Sequence, residues 1–251
     1  MRTNLSRHTR RFFESIADFF FPRFCHVCDN RLLPGEQIVC SRCYPSLPFT
    51  QLKGAKGNVL ERLFWHKRSV VRVNALLYYM TGTRLSQPII HFKYHHAPQA
   101  ALYWGRVMAA DLQGTDFFEG IDAIMPVPLS RKRVKKRGYN QSALLAAGVS
   151  AATGIPVDEK SLVRSIDNPT QTTLSPYERR HNVSGIFTLT APETCSSKHI
   201  LLIDDVLTYG YTLSACIDAL EQAGHVRVSI LTLAASGKWR FKTPPPSPWA
   251  E

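Results

Sequence analysis

His199-Ile200-Leu201-Leu202-Ile203-Asp204-Asp205-Val206-Leu207-Thr208-Tyr209-Gly210-Tyr211-Thr212 is the stretch whose reading decides the fold. The unbroken apolar run Ile200 to Ile203, closed by two adjacent carboxylates and a Thr-x-Gly-x-Thr turn, reads as a buried parallel strand. A helical pattern follows it to about Ala223. Ligands of open α/β sheets sit at such a carboxyl end.

The chemistry of the turn follows from its parts. Gly210 lets the backbone approach a ligand closely, Thr208 and Thr212 bring hydroxyl donors, and the first amides of the next helix form an anion site. That combination suits a phosphate monoester. Neighbours in an extended strand point to opposite faces, so Asp204 and Asp205 reach one ligand only where the strand bends. Two ionised acceptors beside a phosphate cradle suit a sugar diol, a bound Mg²⁺, or both. A Walker A loop is excluded because no Lys follows a second glycine, and G-x-G-x-x-G is absent. The plain alternative is a strand-loop-helix with a solvated Asp pair.

At these residues the chain resembles the type I phosphoribosyltransferases, which bind 5-phosphoribosyl 1-pyrophosphate (PRPP) through an apolar strand, two acids and a Thr-Thr-Gly-like loop. The resemblance implies that Asp204 and Asp205 form the catalytic pair that holds the ribose hydroxyls. It implies too that Thr208, Tyr209, Gly210, Tyr211 and Thr212 wrap the 5′-phosphate of Mg²⁺-PRPP. Tyr209 and Tyr211 depart from the family pattern, which has Thr and a small residue beside the glycine.

The 251 residues carry 31 Lys and Arg against 19 Asp and Glu, a formal net charge of +12. Such a balance attracts polyanions, whether nucleic acid or phosphorylated metabolites. The length suits one main domain with a small appendage.

Residues 1–24 open with Arg2, Arg7, Arg10 and Arg11 and continue as Phe12-Phe13-Glu14-Ser15-Ile16-Ala17-Asp18-Phe19-Phe20-Phe21-Pro22, which predicts an amphipathic helix stopped at the proline. Glu14 and Asp18 interrupt the apolar run, so neither a membrane span nor a signal peptide is expected. Docking on the protein's own body and contact with a membrane surface or partner both fit such a helix. The expected setting is cytoplasmic, with the inner membrane face as the alternative.

Cys25-His26-Val27-Cys28 and Cys40-Ser41-Arg42-Cys43 form two C-x2-C knuckles across residues 25–48. Four thiolates so spaced can converge tetrahedrally on one zinc ion, and a closed four-sulfur sphere points to a structural role. Two disulfides or a redox pair share the spacing, although no secretory signal supports an oxidising compartment. Loss of a ligand is expected to loosen the N-terminal region and leave the sheet domain folded.

Residues 44–68 read as linker, with Pro45, Pro48, Gly54 and Gly57. Val70 to Tyr79 is β-rich, and helical spacing follows at Leu85 to Tyr94 and Gln99 to Leu112. His91, His95 and His96 read as solvated or phosphate-facing rather than as metal ligands. A strand is expected at Ile121 to Val127. Six of the seven residues from Arg131 to Arg137 are basic, and they are expected as a mobile loop meeting pyrophosphate or a nucleic-acid backbone. Gly138-Tyr139-Asn140-Gln141-Ser142 opens a helix, and the polar stretch from Asn168 to Phe187 reads as loop.

In order, the cysteine knuckles, Ile90-His91-Phe92-Lys93-Tyr94, Pro126-Val127-Pro128-Leu129-Ser130 with Arg137-Gly138-Tyr139-Asn140-Gln141, Gln171-x-x-Leu174 with Arg179 and Asn182-Val183, and the Asp-Asp loop are similar to the competence protein F (ComF) family. The resemblance implies an α/β fold: a mainly parallel sheet with helices on both faces, phosphoribosyltransferase-like, behind a zinc ribbon at 25–48. The sheet domain is expected at 65–236, a hood at 70–112, and a disordered tail at 238–251. Lys93, Arg131 and Arg137 are expected to meet the substrate, and Cys25, Cys28, Cys40 and Cys43 the metal. The implied roles are PRPP binding or phosphoribosyl transfer, and DNA uptake or use of external DNA. A non-catalytic factor contacting single-stranded DNA or a helicase is the other role the family suggests.

Overall fold

The computed structural model describes residues 22–80, 82–87, 89–90, 97–165 and 185–236. Nearly all of the expected N-terminal helix, the group from His91 to His96 with Lys93, the stretch from Gln171 to Val183, and the tail at 238–251 lie outside the described residues.

In chain order the regular elements are β1 (Val70–Tyr78), α1 (Pro98–Asp111), β2 (Ala123–Pro126), α2 (Arg131–Arg137), α3 (Gln141–Thr153), β3 (Leu162–Arg164), β4 (Phe187–Leu189), β5 (His199–Leu207), α4 (Tyr211–Glu221) and β6 (Arg227–Ala235). Four strands form one parallel sheet in the order β1-β6-β5-β2, while β3 and β4 pair antiparallel. The apolar run of β5 explains its central place, since Ile200 to Ile203 are fully buried. Leu201 and Ile203, with Leu231 and Leu233 of β6, pack against Trp104 and Met108 of α1 and Leu145 and Val149 of α3. Ile200 and Leu202, with Val228 and Ile230, meet Leu213, Cys216, Ile217 and Leu220 of α4. The expected α/β fold, helices on both faces of a mainly parallel sheet, is therefore present. Among the described residues, no helix is long and apolar enough to cross a membrane.

Close approach of α1 and α3 rests on two glycines. A Cβ on Gly105 would fall 2.2 Å from the Leu145 carbonyl oxygen, and one on Gly148 would fall 2.4 Å from that of Leu102. Each sheet edge is met by one further backbone bridge. Phe49 bridges antiparallel to Leu77, with Tyr78 N–H donating to the Pro48 carbonyl at 2.7 Å. Val157 bridges to Ile124 beside β2. Such bridges shorten the stretch of unpaired edge backbone that could template aggregation.

Three expectations are corrected. The described parts of 70–112 do not form a hood: Val70–Tyr78 is an edge strand in parallel register with β6, and Pro98–Asp111 packs on the sheet. The reason is burial on both sides, Val73 and Ala75 lying in one core and Leu76 and Leu77 in the other. The basic run is a helix rather than a loop. Ser130 Oγ accepts from the Arg133 amide at 3.3 Å, and Gly138, at φ +82°, closes the helix with its amide on the Val134 carbonyl. The supposed linker is packed, with Leu47, Leu60 and Phe64 buried.

Candidate functional site

At the carboxyl end of β5 lies an open cleft of about 60 Å³, lined by Asp204 and the run from Val206 to Leu213. The side-chain alternation of β5 slips here. Leu201 and Ile203 face α1 and α3, and so does Val206, three residues on; Ile200, Leu202 and Leu207 face α4. A strict period of two would put Ile203 and Val206 on opposite faces. The slip falls at Asp204 and Asp205. Asp204 lines the cleft, and Asp205 does not. Asp204 Oδ1 accepts from Ser142 Oγ and from the Asp205 amide, each at 2.9 Å, which fixes its carboxylate against the start of α3.

Gly210 is the N-cap of α4 in the left-handed region, at φ +78°. The first intrahelical bond runs from the Ser214 amide to the Gly210 carbonyl at 2.7 Å, so the amides of Tyr211, Thr212 and Leu213 precede the helical ladder. Those amides, the helix dipole and the hydroxyls of Thr208 and Thr212 make the cleft fit for an anion of phosphate size. The rings of Tyr209 and Tyr211 stack on each other, centroids 5.8 Å apart and planes at 17°.

Phe64 forms the floor of this turn. A Cβ on Gly210 would meet the tip of the buried Phe64 ring at 2.9 Å. The turn Glu61–Phe64 is held in place by Asn58, whose Nδ2 donates to the Val73 carbonyl of β1 at 2.8 Å. Beyond it Lys67 pairs with Asp218 and Glu221 of α4, and Ser69 Oγ donates to Glu221 at 2.7 Å. The sequence reading missed this floor. The spacing of Leu60, Leu63 and Phe64, three and four apart, was the signal available.

Arg131 and Arg137 stand at the two ends of α2, and neither lines the cleft. Because β2 and β5 are parallel neighbours, α2 nevertheless starts from the same edge of the sheet. The motif after it has structural duties. Asn140 caps α3 through the Ser142 amide at 3.2 Å and ties it to β2 through the Val127 carbonyl at 3.1 Å.

Cys25, Cys28, Cys40 and Cys43 are brought together, all four sulfurs within 4.8 Å of one another, and none is in a disulfide. Cys28 and Cys40 Sγ are 3.8 Å apart, the sulfur separation of about 3.8 Å that follows from four tetrahedral Zn–S bonds of about 2.3 Å. The backbone is arranged for thiolate: the Val27 and Cys40 amides donate to Cys25 Sγ at 3.4 and 3.3 Å. Burial raises the Cys25 pKa, but these amide donors outweigh it and the net shift is downward. The donor set and geometry fit a metal ion such as zinc.

No protein-family model matches the chain. DNA utilization protein YhgH of Escherichia coli K12 is 29% identical over 213 residues, 83% of this chain and 88% of that protein. Competence protein F of Haemophilus influenzae is 34% identical over 114 residues, 45% of this chain and 50% of its own length. Competence protein ComFC of Bacillus subtilis is 33% identical over 116 residues, 45% of this chain and 44% of its own. The chain is thus similar to DNA utilization and competence proteins, the competence protein F (ComF) family among them. Among solved structures, the chain is similar to glutamine PRPP amidotransferase from B. subtilis, at 20% identity and a TM-score of 0.39. That likeness covers 58% of this chain and 30% of the other, so the chain spans less than a third of it. Adenine phosphoribosyltransferase from Thermoanaerobacter pseudethanolicus is 16% identical with a TM-score of 0.36, over 57% of this chain and 83% of that one.

Proposed function

We propose that this chain is a ComF-like protein that binds PRPP, with the 5′-phosphate on the Thr208–Thr212 turn and the ribose hydroxyls toward Asp204 and Asp205, and that it serves the use of external DNA. The observation that carries the first part is the cleft, which joins a left-handed glycine turn, helix-start amides, two threonines and a carboxylate. Mg²⁺ would supply charge neutralisation at the pyrophosphate, and the carboxylates are the ligands suited to it. Arg131, Arg137 and Lys93 would meet the pyrophosphate or a DNA backbone. The four thiolates would hold a structural zinc, which the reducing cytoplasm favours over disulfides.

The names of the relatives support the DNA role, and the net charge of +12 accords with a polyanionic partner. Transfer of the phosphoribosyl group would rely on positioning and electrostatics, since the one carboxylate that lines the cleft, Asp204, is assigned to the ribose hydroxyls. The tyrosines flanking Gly210 favour binding without turnover as the second reading. Calorimetric titration of the metal-loaded protein with PRPP and Mg²⁺ tests the site. Asp204→Asn with Asp205→Asn should weaken binding at least about tenfold, the scale of lost charge-assisted hydrogen bonds. Undiminished affinity would remove the site assignment. Absence of binding in the wild type would leave the DNA role alone standing.

A further inference from the structure

The segment that floors the phosphate turn has a second side. Inward, Phe64 lies under Gly210 and Lys67 is taken up by Asp218 and Glu221. Outward, Trp65 is 76% exposed, more than any other large apolar side chain among the described residues. The Arg62 guanidinium stands over its ring, 5.9 Å from the centroid, and Arg62, His66 and Arg68 are all exposed. From Lys53 to Arg68 the chain carries five Lys and Arg against one acid, Glu61. That acid is turned back into its own turn, accepting from the Gly57 amide at 2.7 Å and from Asn58 Nδ2 at 3.4 Å. An indole left in water between cations is a costly surface for a chain that keeps Phe64, its neighbour, fully inside.

The ligand such a surface recognises has a flat aromatic face and flanking negative charge. An unpaired base stacks on an indole, and its neighbouring phosphates meet arginines. Duplex DNA keeps its base faces hidden in the stack, so only a single strand offers both features together. We propose that Trp65, flanked by Arg62 and Arg68, is a stacking contact for single-stranded DNA. The proposal rests on the reading that this chain handles DNA and adds the place where it does so.

Fluorescence anisotropy of a labelled oligothymidylate with the full-length, metal-loaded protein tests it. Trp65→Ala should weaken binding by about 5- to 150-fold, the range for loss of one stacked base, and Trp65→Phe should recover most of it. The dependence of log affinity on log salt should keep its slope in Trp65→Ala and become shallower by roughly 1.4 in Arg62→Ala with Arg68→Ala, about 0.7 per phosphate contact on a single strand. The exposed ring implies an unchanged thermal midpoint for Trp65→Ala, which separates lost contact from lost fold. Wild-type affinity in Trp65→Ala would overturn the stacking contact while the DNA role stands. An equal loss on duplex and single strand would also overturn it. Failure of the wild type to bind any oligonucleotide at low salt would overturn both.

Discussion

Gly210 answers to two constraints at once: a left-handed backbone at φ +78° and a phenyl ring where its Cβ would stand. Gly210→Ala should therefore cost about 1–2 kcal/mol of stability from the backbone alone. If the proposed PRPP site is right, the substitution should also lower PRPP affinity by displacing the amides of Tyr211 and Thr212. Adding Phe64→Leu relieves the contact but not the backbone, so stability should recover only in part; calorimetry and thermal unfolding of the single and double variants measure this. Wild-type values for Gly210→Ala in both assays would refute the account of the turn. At the other end of β5, buried His199 shares a 2.9 Å hydrogen bond between Nε2 and Ser229 Oγ. Burial first, then the charge of Arg227, holds its imidazole below its ordinary range, against the pull of the Gly120 backbone and Asp122. A base whose folded pKa is depressed contributes its full stability above the unfolded value, near 6.5. That stability is lost as pH falls through the lower, folded value. The acid limb of stability between neutral pH and pH 5 should be shallower in His199→Gln, as denaturant midpoints across that range would reveal.

Between elements, the tightest constraint is the crossing of α1 and α3. Gly105→Ala or Gly148→Ala drives a methyl group into a backbone carbonyl at 2.2 or 2.4 Å, where no side chain can rotate away. Overpacking of this kind costs about 1–3 kcal/mol. Each variant should lower the thermal midpoint by several degrees, and an unchanged midpoint would mean that the helices separate freely. The same distinction between local and distant causes explains what could be read beforehand. β5 and its turn were legible because four apolar residues, two acids and Thr-x-Gly-x-Thr follow one another in sequence. The cysteine cluster was legible for the same reason. Sheet order was not: nothing within Val70 to Tyr78 says that it pairs with β6 rather than standing above the strand ends. Nor could α2 be recognised, because six cations in seven residues repel within one helix, and its caps, Ser130 and Gly138, lie outside the charged run. Phe64 meets Gly210 only after the whole sheet has formed between them, which placed the floor of the site beyond reach of any local pattern.

At the scale of the whole molecule, the cysteine knuckles and the sheet are not separate bodies. Cys25, Val27, Leu32, Ile38, Val39, Cys40, Cys43 and Leu47 belong to the same buried cluster as Trp104, Met108 and Leu112. Tyr44 and Tyr103 pack against that cluster too, and burial raises both phenolic pKa values. A metal that fixes the knuckles therefore also acts on α1, which packs on β6 and β1. This changes the expectation drawn from sequence, in which the N-terminal region would loosen by itself. Metal binding to structural cysteine sites contributes directly to folding free energy, and chelation removes it. Chelation, or Cys28→Ser, should then release one metal per chain and lower the midpoint of a single cooperative transition, with faster hydrogen exchange in α1 as well as in the knuckles. Two separate transitions, or protection in α1 unchanged after the metal has gone, would show that the shared core does not couple them. Cys216→Ser makes the contrast, since Cys216 is buried against β5 on the opposite face. It should destabilise the protein through its unpaired hydroxyl while leaving metal content intact.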